Sequence, residues 1–196
     1  GRGLVGHKSV AELARLDARR TGPAWPGPQP VPTIARVLEE FPELEHLQLE
    51  AKPVDAASRT LMAERLAALF RDFDLHARAT VTSFDRELLR AVRAADARIA
   101  LGLVTDRTRP EPLKTALALD ARLLVLHWKL CTARRVQAAQ EAGLQVSAWT
   151  VNDDAEARRL HALGIDSIVT DFPTRMIALL HGSVAAGAQR RSRVAS

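Results

Sequence analysis

The sequence predicts an α/β fold: a (β/α) barrel of parallel strands that is incomplete on its N-terminal side. From residue 33 onward, helical patterns alternate with short strands at intervals of roughly 20–30 residues. The strands are rich in Val, Ile and Leu on both faces, which is typical of parallel strands covered by helices. Six candidate strands occur, whereas a complete barrel has eight strands and about 250 residues.

The same alternation fits an open doubly wound sheet as well as a barrel. No glycine-rich phosphate loop follows any of the strands, which argues against an open sheet that binds nucleotides.

The first elements follow an irregular N-terminal region. Residues 1–32 contain one short helical pattern, "SVAELARLDARR", and the proline-rich "TGPAWPGPQPVP", which we expect to be a loop. Helix "TIARVLEEF" follows, with Thr33 as its N-cap. Strand "LQLEAK" then precedes the long helix "AASRTLMAERLAALFRDFDL", in which Leu61, Leu66, Leu69, Phe70 and Phe73 form an apolar face.

Five further strand–helix pairs complete the pattern. The strands are "ARATVTSF", "RIALGLV", "RLLVLHW", "LQVSAWTV" and "DSIVTDF", and helical patterns follow each of them. Gly143 and Gly164 stand where two of these helices end. We predict that parallel strands contain Leu49, Val81, Leu101, Val125, Val146 and Ile168.

Composition excludes several functional classes. The net charge of +5 comes largely from the arginines of "AQRRSRVAS", so we predict a disordered basic tail over 183–196. Aromatic residues make up only 4% and Tyr is absent, which argues against a nucleic-acid partner. The single cysteine, Cys131, excludes an internal disulfide and fits a core position. No apolar run approaches the ~20 residues of a membrane span, and a cytoplasmic location is the default expectation.

The chemistry should lie at the carboxyl ends of the strands, where the loops of a barrel form its mouth. In "HLQLEAKP", strand alternation places His46, Gln48, Glu50 and Lys52 on one side. A carboxylate and an ammonium at such a rim suit a hard cation and a phosphate. The alternative is an exposed strand end with a solvated ion pair.

Several segments together resemble the glycerophosphodiester phosphodiesterase family, whose members are TIM barrels of the phospholipase-C-like phosphodiesterase type. "LQLEAKP" resembles its "iEiK" strand, "VTSFD" its "SFd" strand end and "IALGLV" its "lGlL" strand. "AAQEAGLQVSAWTVND" resembles "aahaaGl.V.vWTVN", and "LGIDSIVTDFP" resembles "lGvDgiiTDyP". "GRGLVGHKSVAELARLD" and "VPTIARVLEEF" resemble the segments that precede "iEiK". The resemblance covers residues 1 to about 181 and implies a partial barrel domain over 1–182.

The resemblance implies metal-dependent hydrolysis of glycerophosphodiesters to glycerol 3-phosphate and an alcohol, with Mg²⁺ or Ca²⁺ as the cofactor. Glu50 matches the third metal ligand of the family, and Lys52 matches the lysine that faces the phosphate. Trp149 matches the tryptophan of the substrate pocket, and Phe84 stands at a similar pocket position.

The departure from the family concerns its N-terminal motifs. The "HRG" and "HD" motifs, which carry the general acid and base, and the "ElDv" motif, which carries two metal ligands, are absent from the sequence. We therefore assign no catalytic residue. His127 stands at a strand end, where a structural, hydrogen-bonded role is favoured.

Three interpretations of this departure stay open: a fragment of a longer enzyme, a wrongly assigned start, or a degenerate protein that is not an enzyme. In the last case the barrel would act as a binding or partner protein, and its open edges would allow self-association. A different TIM-barrel phosphodiesterase is a further alternative.

Overall fold

The structure is a computed structural model that describes residues 3–19 and 27–180. The chain divides into two compact units, Gly1–Glu45 and His46–Ser196. The predicted basic tail over 183–196 lies outside the described residues and stays a prediction.

The first unit contains short helices with well-formed N-termini. A 3-10 turn spans Val5–His7, helix α1 spans Val10–Ala14 and helix α2 spans Ile34–Glu40. Ser9 and Glu12 form a capping box at α1, in which the Ser9 N–H donates to the Glu12 carboxylate at 2.7 Å. At α2 the hydroxyl of Thr33 accepts from the Arg36 N–H at 3.2 Å, so the predicted N-cap is confirmed.

The second unit alternates strands with helices along its whole described length. Its helices and strands are β1 (Leu47–Glu50), α3 (Ala56–Asp72), β2 (Ala79–Ser83), α4 (Arg86–Ala95), β3 (Ala100–Thr105), α5 (Pro112–Ala118), β4 (Leu123–His127), α6 (Ala133–Glu141), β5 (Gln145–Trp149), α7 (Asp154–Ala162) and β6 (Ser167–Ile168). A 3-10 turn at Trp128–Leu130 follows β4, and residues 173–180 are helical.

The six strands form one parallel sheet in the order β1-β2-β3-β4-β5-β6. All six residues predicted to lie in strands do so, and the expected parallel pairing is confirmed. β6 is shorter than the predicted "DSIVTDF", although backbone bonds to β5 continue on both sides of it: the Asp166 N–H donates to the Val146 carbonyl at 3.0 Å and the Val169 N–H to the Ala148 carbonyl at 2.8 Å. Asp166 accepts from the Val146 N–H through its side chain at 2.7 Å, and Thr170 bonds to a neighbouring loop.

The outer face of the sheet forms the core with the helices. Val81, Leu101, Leu124 and Val146 are fully buried on this face. Helix α3 differs from its predicted apolar face, because it buries Ala63, Ala67 and Phe70 while Leu61 is 55% exposed. Small alanine side chains allow a helix to approach its neighbours closely, so they replace the larger leucines at this contact.

The inner face shows that the sheet curls as a barrel does. The Gln48 amide of β1 donates to the Ser167 hydroxyl of β6 at 3.3 Å, although these strands stand at opposite ends of the strand order. At one level of the interior Thr82, Gly102 and Leu123 are in register. A Cβ atom at Gly102 would lie 2.8 Å from Thr82 Cγ2 and 3.2 Å from Leu123 Cβ, so this layer requires glycine.

Among the described residues, no helix is both long and apolar enough to cross a bilayer.

A charged cluster joins the turns at the amino ends of the strands. The Asp96 carboxylate lies 3.0 Å from His76 Nε2 and accepts from Arg98 Nη2 at 2.9 Å, and only 7% of its side chain is exposed. These bonds, led by the one from Arg98, hold the pKa of Asp96 below its usual range. The cluster connects the turn before β2 to the turn before β3.

We expect the stability contributed by Asp96 to depend on pH. A folded-state pKa below the unfolded value of about 3.9 stabilises the protein above that value, and this contribution decreases gradually as the pH falls from there toward the folded-state pKa. The difference in urea midpoint between wild type and Asp96→Asn should therefore be largest at about pH 7 and decrease steadily as the pH falls below about 4. Urea titrations of both proteins across this range provide the measurement.

Asp120→Asn serves as the control, because the Asp120 side chain is 92% exposed and its ion pair with Arg93 is weak at 3.4 Å. A difference between wild type and Asp96→Asn that stays constant across the pH range would contradict the assignment.

Candidate functional site

The predicted site residues line one cavity at the carboxyl ends of the strands. This mouth cavity has a volume of about 550 Å³ and includes Glu50, Lys52, Phe84 and Trp149. The structure thus brings together four residues from the ends of three strands. Their roles toward a substrate stay predictions.

Local bonding fixes the direction of Glu50 and Lys52. The Ala51 between them is 8% exposed, and its N–H donates to the Thr82 carbonyl at 2.8 Å. The buried Ser83 hydroxyl donates to the Ala51 carbonyl at 2.6 Å. Because both backbone groups of Ala51 bond to β2, its two neighbours point to the cavity side.

Glu50 and Lys52 form an ion pair across the rim. Lys52 Nζ lies 2.6 Å from Glu50 Oε1, with the side chains 73% and 37% exposed, respectively. An ion pair this exposed contributes little to stability, about 0–1 kcal/mol. Breaking this ion pair so that Lys52 or Glu50 can bind a ligand therefore costs little folding free energy.

An aromatic wall closes one side of the cavity. The Trp149 indole meets both Phe84 and His127 edge-to-face, with ring centroids 5.3 Å apart in each pair. It also packs on the buried cluster of Val104, Leu123 and Val125. These contacts fix the indole on the inner face of β5, where strand alternation predicts it.

Two buried polar atoms on the inner face of β5 have no hydrogen-bond partner among the described residues. They are the Trp149 Nε1 donor and the Ser147 hydroxyl. Buried polar groups in proteins are nearly always paired, with a bound water or ligand where protein atoms are not available. The inner wall therefore has unused hydrogen-bonding capacity.

His127 has the structural role that the sequence favours. Its Nδ1 accepts from the Lys129 N–H at 3.3 Å at the start of the 3-10 turn, and its ring stacks on Trp128 at 5.6 Å. It is not among the described residues that line the mouth cavity.

Other lining residues come from inward positions of the strands. His46 and Gln48 share the side of Glu50, as alternation predicts, and Thr82, Val125 and Ser167 add to the wall. The alternation of side chains along the strands could have predicted Thr82, Val125 and Ser167 as lining residues from the sequence. His46 immediately precedes β1, roughly 13 Å along the chain from Glu50, and so lies away from the rim.

The described residues do not by themselves fit a Mg²⁺ or Ca²⁺ site. Within residues 3–19 and 27–180, no three His, Cys, Asp or Glu side chains are grouped so that they could hold a metal ion. Glu50 offers one carboxylate, which is already paired with Lys52. Calcium typically takes ~6–8 oxygen ligands and magnesium ~6, so Glu50 could supply only one of several.

The "WTVN" and "TDFP" segments bond to each other. The Asn152 amide donates to Asp171 Oδ2 at 2.7 Å, and Asn152 Oδ1 accepts from the Thr170 hydroxyl at 3.1 Å and the Asp171 N–H at 3.0 Å. The Val151 N–H also donates to the Val169 carbonyl at 2.9 Å. Asn152 therefore joins the loop after β5 to the loop after β6.

We expect Asn152→Ala to destabilise the protein by about 1–3 kcal/mol, because it removes three hydrogen bonds between the two loops. Chemical denaturation gives the measurement. Gln137→Ala, which removes one exposed bond on α6, is the matched control and should cost much less. Equal stability of the two variants would contradict the proposed joining role.

The comparisons with known proteins agree with this architecture. A sequence profile of the glycerophosphoryl diester phosphodiesterase family matches residues 1–175. YhdW of Bacillus subtilis strain 168, provisionally named a glycerophosphodiester phosphodiesterase, is 28% identical over 185 residues, which are 90% of this chain and 73% of YhdW.

Two solved structures share the fold. A protein from Silicibacter pomeroyi, provisionally assigned as a glycerophosphoryl diester phosphodiesterase, superposes with a TM-score of 0.71 at 25% identity, covering 79% of this chain and 57% of its own. An Oleispira antarctica phosphodiesterase in complex with its product sn-glycerol-3-phosphate superposes with a TM-score of 0.74 at 22% identity, covering 92% of this chain and 74% of its own. The profile match spans 175 of the 196 residues. The chain belongs to the glycerophosphoryl diester phosphodiesterase family.

Proposed function

We propose that the chain binds glycerophosphodiesters in the mouth cavity and serves in their hydrolysis to glycerol 3-phosphate and an alcohol. The observation that carries this proposal is the meeting of Glu50, Lys52, Phe84 and Trp149 around one cavity. The ammonium and the aromatic wall offer complementary surfaces to the anionic and carbon-rich parts of such a substrate.

Lys52 is the group we assign to the phosphodiester. Its side chain is 73% exposed, and it is the one lysine or arginine that lines the mouth cavity within the described residues. A lysine binds phosphate oxygens as a point charge, and it compensates negative charge that builds on them during hydrolysis.

Phe84 and Trp149 are the groups we assign to the organic part of the substrate. Phe84 is 37% exposed, so part of its ring is available to contact the carbon atoms of a glycerol or alcohol group. The indole N–H of Trp149 has no partner among the described residues. It would donate a hydrogen bond to an oxygen atom of the substrate if the aromatic wall opened slightly on substrate binding.

The family resemblance implies Mg²⁺ or Ca²⁺, and we propose Glu50 as one carboxylate ligand. The described residues place no second carboxylate beside it to complete such a site. The binding roles proposed for Lys52, Phe84 and Trp149 therefore do not depend on a bound metal ion.

A second candidate function is diester binding without catalysis. It is favoured by the Glu50–Lys52 ion pair, which leaves the mouth without a free carboxylate from β1. In such a protein the outer edges of β1 and β6 would be available to pair with another chain, and self-association stays a proposal. Measuring hydrolysis of a glycerophosphodiester distinguishes binding without catalysis from the hydrolytic function proposed first.

We expect Lys52→Gln to weaken the binding of sn-glycerol 3-phosphate by about 10–100-fold, because a hydrogen bond to a charged group is lost. Isothermal titration calorimetry of the 196-residue chain gives the affinity. Lys114→Gln is the matched control, since Lys114 is exposed on α5 and lines neither cavity. Equal loss in both variants, or no binding by wild type, would contradict the proposal.

We expect the 196-residue chain with Mg²⁺ or Ca²⁺ to hydrolyse glycerophosphocholine far below ordinary enzyme rates of ~1–10³ s⁻¹. Each missing general acid or base typically costs ~10²–10⁴ in rate. Release of glycerol 3-phosphate, followed with a coupled assay, is the measurement.

Lys52→Gln identifies contaminating activity, because turnover that survives this substitution does not come from the site. Rates within the ordinary range that depend on Lys52 would reject the binding-only candidate and require catalytic residues that we have not assigned.

A further inference from the structure

A second cavity adjoins the mouth cavity at the carboxyl ends of β2 and β3. Its volume is about 380 Å³, and it lies between the start of α4 and the loop from β3 to α5. Phe84 and Val104 line both cavities, so the two spaces are adjacent at these side chains.

Three arginines give this cavity a positive charge, and we refer to it as the arginine pocket. Arg86, Arg107 and Arg109 line it, together with a single acid, Asp106. Arg107 Nε lies 3.7 Å from Asp106 Oδ1, a long and exposed ion pair. Within the described residues, Arg86 and Arg109 take part in no ion pair.

The remaining lining makes the pocket firm on one side. Pro112 is buried at the first turn of α5, and Leu103 is 3% exposed on β3. The Thr105 hydroxyl accepts from the Arg107 N–H at 3.1 Å, which fixes the backbone of the loop at that residue. The backbone and the buried wall are thus fixed before an anion binds, whereas the exposed arginine side chains order on binding.

We infer that the arginine pocket binds a phosphomonoester group carried by the alcohol part of the diester that Lys52 holds. This inference rests on the proposed function, since it places the diester phosphate at Lys52. A substrate that passes Phe84 would bring its far end to the three guanidinium groups. Guanidinium groups form paired hydrogen bonds with phosphate oxygens, and three of them match the double charge of a phosphomonoester.

Two ligands that differ only at this end test the inference. Glycerophosphoglycerol and glycerophosphoglycerol phosphate have the same diester, and the second carries an added terminal phosphate. We expect the added phosphate to tighten binding to the 196-residue chain by about tenfold or more at low ionic strength. Titration calorimetry measures both affinities.

In the double variant Arg107→Gln/Arg109→Gln, the affinity for glycerophosphoglycerol phosphate should exceed that for glycerophosphoglycerol by less than about threefold. The affinity for glycerophosphoglycerol itself should equal that of wild type. Arg122→Gln, an exposed arginine immediately before β4 at the opposite end of the strands, should keep the full advantage. Thermal unfolding confirms that the variants are folded, as expected for exposed side chains.

The outcomes separate this inference from the proposed function. Equal affinities of wild type for the two ligands, or an advantage that survives the double variant, overturn the arginine pocket and leave diester binding intact. Failure of the chain to bind either ligand overturns the proposed function and this inference with it.

Discussion

The register between β1 and β2 determines the candidate site. The Ala51 N–H and carbonyl both bond to β2, the first to the Thr82 carbonyl and the second to the Ser83 hydroxyl. A slip of one residue would turn Glu50 and Lys52 toward the helices and place Ala51 in the cavity. Ser83 lies on the buried outer face and does not reach the cavity. Its hydroxyl nevertheless helps to direct the side chains of Glu50 and Lys52 into the cavity.

The segments that carry the family resemblance divide into two physical roles. Asn152, Thr170 and Asp171 bond to one another and join two loops, which makes them parts of the scaffold. Trp149, in the same "WTVN" segment, faces the cavity and packs on Phe84. A short motif can therefore combine a residue that shapes the pocket with a residue that fixes the loop behind it.

The strands, their parallel order and the N-cap at Thr33 could be predicted from the sequence, because they follow from local spacing and alternation. The exposure of Leu61 could not, because it depends on how closely helix α3 packs on its neighbours. The arginine pocket also escapes sequence reasoning. Arg86 begins α4 and Arg109 lies 23 positions later in the loop before α5, and the two come together only in the folded chain.

A nearly buried carboxylate and more exposed ion pairs occupy opposite ends of the strands. At the amino ends the nearly buried Asp96 carboxylate bonds to His76 and to the exposed Arg98, and these bonds hold it charged. At the carboxyl ends, Lys52, Arg107 and their acidic partners are largely exposed, with ion pairs that contribute little to folding. Charges at the mouth can therefore exchange partners with a ligand without a large loss of stability. Phe84 links the two cavities on this side, so a change in its position would alter the space available in both.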